Sequence, residues 1–107
     1  MVTIVFSYSA TKDLKEIYEY YKSCGDNVAM KLVRKIRNRI NILVASPLAG
    51  KVETGYEEFR VTIRTLIIGK RYKVLYHVDD EFAYILAIWD CRQKPDSLFY
   101  KLNKLLK

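Results

Sequence analysis

Hydrophobic and polar positions trade places along this chain in a readable order. In VTIVFSY, residues 2–8, β-branched and aromatic side chains dominate an alternating run, and the spacing predicts a strand. Ser9 then stands where a helix cap belongs, and behind it Ala10, Leu14, Ile17, Tyr21 and Cys24 recur at steps of four and three. That stripe predicts an amphipathic helix ended by Gly25, with a charge-balanced outer face. Asp26 or Asn27 can cap a second helix, whose stripe Ala29, Leu32, Val33, Ile36, Ile40 and Leu43 runs to Ser46-Pro47. Two helices joined by a short Gly-containing turn form a hairpin that must lay its stripes on something apolar.

The second half supplies that surface. EEFRVTIR (57–64), RYKVLYHV (71–78) and FAYILAIWDC (82–91) read as three strands, with Asp79-Asp80-Glu81 as the tight turn between the last two. The connection 65–70, TLIIGK, reads as a loop, although an apolar one. After Pro95, the residues Leu98, Phe99, Leu102, Leu105 and Leu106 predict a short C-terminal helix. The last strand is apolar on both faces, as expected in the middle of a sheet. By strand parity, one sheet face packs on the helices and the other collects Arg60, Thr62, Arg64, Lys73 and His77. The expected class is α+β: an N-terminal strand, an αα-hairpin, a three-stranded antiparallel meander completing one sheet, and a short helix, all in a single domain over 1–107.

Composition narrows the function classes. With 107 residues the chain can enclose one real core. No stretch is long enough to span a bilayer, and the N-terminus lacks the basic start of a secretion signal, so a cytoplasmic location without membrane contact is expected. Cys24 and Cys91 are too few and too far apart for a disulfide framework or a zinc motif, and read as reduced thiols in packed positions. No phosphate-binding glycine loop or Ser/His/Asp set exists, three successive acids on a turn make a poor metal site, and no cofactor is expected.

The net charge of +7 changes the picture more. A small basic domain gathers polyanions or an acidic partner. The second helix carries Lys31, Arg34, Lys35, Arg37 and Arg39, and no acid lies between Phe59 and Val78. His77, the one histidine, is the side chain whose ordinary pKa suits proton transfer near neutrality, and nearby cations such as Lys73 would favour its neutral form.

Strand, two helices and three antiparallel strands, with SATKDLKEIYEYY, SPLAGK, EEFRVTIR and YKVLYHVDDEFAYILAIWDCRQ in that order, resemble the RelE/ParE superfamily of toxins from bacterial type II toxin–antitoxin (plasmid stabilisation) modules. The resemblance implies a cognate antitoxin and one of two activities. RelE-like members cut ribosome-bound mRNA without a metal; ParE-like members inhibit DNA gyrase and cleave nothing. The first basic strand position of the nucleases falls on Arg60, the second on the uncharged Thr62, and the arginine of their next strand on Lys73. Their strand-end arginine falls on Gln93, with Arg92 one residue earlier, and their terminal tyrosine on Phe99, next to Tyr100. The expectation is a toxin acting as a ribosome-dependent mRNA endonuclease, with Arg60, Lys73, His77, Arg92 and Tyr100 as catalytic candidates. Arg64, Arg71, Lys31, Arg34, Lys35 and Gln93 are the candidate contacts to nucleic acid or partner. The alternatives are a gyrase inhibitor without nuclease activity, or a degenerate toxin.

Overall fold

The computed structural model describes residues 1–106. In chain order it contains β1 (Thr3–Phe6), α1 (Tyr8–Lys22), α2 (Asp26–Asn41) followed by a single 3-10 turn, β2 (Lys51–Val52), β3 (Arg64–Ile68), β4 (Tyr72–Val78), β5 (Phe82–Asp90) and α3 (Pro95–Leu105). The sheet order is β1-β5-β4-β3-β2, with β1 parallel to β5 and every other pair antiparallel. The α+β class and the central position of the last strand are as expected.

The helical hairpin covers one sheet face. Ala10, Leu14 and Ile17 of α1 and Ile36 and Ile40 of α2 are buried against Leu66, Ile68, Tyr72, Val74, Tyr76, Ile85 and Ile88. Each fully buried aliphatic side chain contributes about 1.5–3 kcal/mol, so this stripe outweighs the modest helix propensity of the charged faces. The cap of α1 is Ser7 rather than Ser9: its hydroxyl oxygen accepts from Ala10 N at 2.9 Å and donates to Leu86 O at 3.0 Å, stitching the helix start to the sheet. The first helix ends at Lys22, and Gly25, not Asp26 or Asn27, is the cap position of α2.

The expected strand over 57–64 is not one. Residues 56–63 form an irregular segment, and the strand is Arg64–Ile68, within the stretch that reads as a loop. The alternation in EEFRVTIR arises because Tyr56, Phe59, Val61 and Ile63 pack on α3, where Tyr56 and Phe59 both stack on Phe99. Burial can impose a period on a segment that pairs with nothing. The β-branched run TLII is the better strand former, and Gly69, at φ 60°, opens the turn into β4 in a conformation that costs other residues strain.

Apolarity on both faces of β5 also has a local cause. Leu75 pairs with Ala87 but Tyr76 with Ile85, which leaves Leu86 as the extra residue of a β-bulge. Leu86 and Ala87 therefore both face α3, while Ile85 and Ile88 face the hairpin. Leu98 and Leu102 of α3 are buried against Leu75, Ala87 and Trp89, so the sheet has a second core on the face that parity leaves to solvent. Both cysteines are exposed rather than packed.

Candidate functional site

The strand shift divides the expected basic face. Arg64 pairs with Tyr76 and so points to the hairpin side, where its Nη1 donates to Gly50 O at 2.8 Å and pins the loop before β2. Arg60 lies exposed in the irregular segment, off any strand. Of the expected set, Lys73 and His77 share a sheet face, on either side of the buried Leu75.

Neither is idle. Lys73 Nζ lies 3.6 Å from Glu53, whose other carboxylate oxygen accepts from the Thr65 hydroxyl at 2.5 Å. The His77 ring stacks on Tyr84 with centroids 4.7 Å apart. Burial lowers its pKa and Asp79 opposes that shift, so desolvation rather than Lys73 keeps the ring neutral. Asp79 itself accepts from the backbone N–H groups of Glu81 and Phe82, which lower its pKa and close the turn.

Arg92 is on the other side of the sheet. Asp90 pairs with Tyr72, on the hairpin face, and its carboxylate takes Arg92 Nη2 at 2.6 Å, Nε at 3.1 Å and the Arg92 backbone N–H at 2.9 Å. These contacts lower the Asp90 pKa and raise that of Arg92. Gln93 follows in the same turn, its N–H donating to Asp90 O at 3.0 Å. The bulge at Leu86 sets the parity that carries Asp90 to this side.

Arg71 follows the β3–β4 turn; its guanidinium donates to the Tyr21 hydroxyl and its carbonyl accepts from Cys91 N–H, joining α1 to the strand ends. Tyr100 stands exposed on α3 with Lys104 Nζ 4.8 Å from its ring centroid. Five catalytic candidates are thus distributed over an irregular segment, two sheet faces and the outside of a helix.

What the fold does assemble is a groove between α2 and β3. Lys31, Arg34, Lys35 and Arg39 form its basic wall, and Ile42 and Ile67, both exposed, give it an apolar floor; its volume is about 710 Å³. Arg39 Nε donates to Ile67 O at 3.3 Å, so a helix cation covers part of the strand edge. The basic wall is legible in the helix sequence. The floor is not, because it depends on TLII being a strand.

With this geometry in hand, the comparisons with known proteins are specific. The family described as ParE toxin of type II toxin-antitoxin system, parDE, matches residues 4–95. The chain is similar to a solved structure described as a chromosomal ParDE toxin–antitoxin system from P. aeruginosa, at 26% identity and a TM-score of 0.69, over 84% of this chain and 96% of that one. It shares its fold with a YoeB dimer from Staphylococcus aureus at 24% identity and a TM-score of 0.53, over 80% and 92% of the two chains. A search of curated proteins found no match. A family match that runs from β1 to the start of α3, on a fold shared with ParDE and YoeB, means that the chain belongs to the ParE toxin family of type II toxin–antitoxin systems.

Proposed function

We propose that this toxin, which as a family member has a cognate antitoxin, acts by binding its target, DNA gyrase, without cleaving RNA. The observation that carries the reading is the covered sheet face: α3 and the segment 56–63 occupy the surface between Lys73 and His77 with Leu98, Leu102 and stacked aromatic rings. Cleavage of a phosphodiester needs several donors converging on one phosphate with charge to spare. In this chain Lys73 is matched by Glu53 and Arg92 by Asp90, on opposite faces of the sheet. Losing such stabilisation commonly costs about 3–4 kcal/mol of transition-state energy per donor, enough to remove useful catalysis when several are displaced.

Binding needs no such convergence. The groove of α2 and β3 offers excess positive charge above an apolar floor, a combination suited to an acidic protein surface with apolar anchors. Primer extension on mRNA translated in vitro with the purified toxin tests the reading. Intact message is the expected result. Codon-phased cuts that disappear in Arg60→Ala would overturn it.

A further inference from the structure

Away from that groove, the opposite end of β5 borders a cleft of about 370 Å³ between α1 and α3, lined by Glu16, Tyr20, Tyr72, Asp90, Arg92 and Gln93 among others. Most of its charge is already satisfied internally. Asp13 takes Lys101 at 2.7 Å and the Ile88 N–H at 3.0 Å, and Asp90 takes Arg92. Glu16 has no hydrogen-bond or ion-pair partner among the described residues. The five charged lining residues, three acidic and two basic, therefore leave one unmatched negative charge in a protein of net charge +7.

A second observation is independent of that charge. Tyr72 is only 5% exposed, lines the cleft, and its hydroxyl makes no hydrogen bond among the described residues. A buried hydroxyl is ordinarily paired, and one left open onto a cavity marks a place for a ligand donor or acceptor. Tyr20 and Trp89 complete an aromatic lining, and Lys101 already lies 5.8 Å from the Trp89 ring centroid, so these rings accept cations.

We infer that this cleft is a guanidinium site, which receives an arginine side chain of a protein partner between Tyr20 and Tyr72 with Glu16 as counter-charge. A planar guanidinium stacks on a phenol ring and still directs donors to a carboxylate and to the Tyr72 oxygen, which an ammonium does less well. The net charge of the protein repels a free small cation at long range, whereas an arginine carried on an acidic partner arrives with the field rather than against it.

The test is a titration of the full-length ¹⁵N-labelled protein with Nα-acetyl-argininamide, reading the Trp89 indole and Gln93 side-chain amide signals. Saturable shifts confined to the cleft are expected, weakened about two- to tenfold in Glu16→Gln and in Tyr72→Phe. Glu16 is exposed and Tyr72→Phe keeps the ring, so both variants report binding rather than folding. Shifts produced equally by acetylglutamate, by no ligand, or unchanged in both variants would overturn the site. Agmatine supplies the free-metabolite arm: binding tighter than the peptide analogue would overturn the assignment to a partner's side chain.

Discussion

Removing one oxygen atom at Tyr76 should be felt by the whole molecule. Its side chain is fully buried, and its hydroxyl donates to Pro47 O at 2.9 Å and accepts from Gly50 N at 2.8 Å, so one atom holds the loop before β2 onto the sheet. Tyr76→Phe leaves a buried N–H and a carbonyl without that partner, at about 1–3 kcal/mol each, for a total of about 2–4 kcal/mol. Against the roughly 5–15 kcal/mol of an ordinary domain this is a large fraction. Urea denaturation should show a lower midpoint at unchanged m-value, and thermal unfolding a loss of roughly 10–30 °C. Gly50→Ala probes the same node from the other side: a Cβ there would meet the Tyr76 hydroxyl at 2.5 Å, its ring at 2.6 Å and Thr65 O at 2.9 Å. Overpacking of this kind costs about 1–3 kcal/mol, and because the two changes share atoms the double variant should lose less than the sum. A Tyr76→Phe midpoint within error of wild type would refute the reasoning, since it would mean that solvent replaces the hydroxyl.

Other expectations follow from the same contacts. Asp13→Ala should cost about 1–3 kcal/mol and speed hydrogen exchange at the Ile88 amide, because Asp13 supplies that N–H with its acceptor beyond the end of β1. His77 has a folded pKa below its ordinary 6.5, so its contribution to stability is complete above that value and is lost as pH falls through the folded value. Stability measured between about pH 6.5 and 5 should therefore decline in wild type and flatten in His77→Gln, above the range in which carboxylates titrate. Reversing charge on the groove wall, with Lys31→Glu, Arg34→Glu and Lys35→Glu combined, should abolish growth inhibition on induced expression, whereas Lys73→Met and His77→Gln should leave it intact. The opposite pattern would return the activity to the sheet face.

The helices were legible because each buries one stripe against one partner: Leu14, Ile17, Ile36 and Ile40 follow the helical period and lie where it predicts. The β4–β5 hairpin was legible for a similar reason, since Asp79 closes the turn from its own side chain. Where two surfaces compete for a segment, the period stops identifying the structure. Tyr56, Phe59 and Ile63 alternate to satisfy α3, and the strand begins only where Arg64 engages Tyr76. Arg92 was misread as a free strand-end charge because strand parity was extended past Asp90, where a turn returns the guanidinium to the preceding carboxylate. An acid two residues before an arginine at the end of a strand was the available signal. Family membership was legible from the order of elements. The division between cleavage and binding was not, because it depends on which charges are already matched in three dimensions.

The central claim is that this ParE-family toxin works by occupying its target, and gyrase supercoiling measured with the purified protein tests it most directly. Relaxed plasmid, gyrase and ATP should yield less supercoiled product as toxin is added, and the groove-wall variant of α2 should restore it. Full supercoiling at saturating toxin, with phased cuts in translated mRNA from the same preparation, would contradict the account.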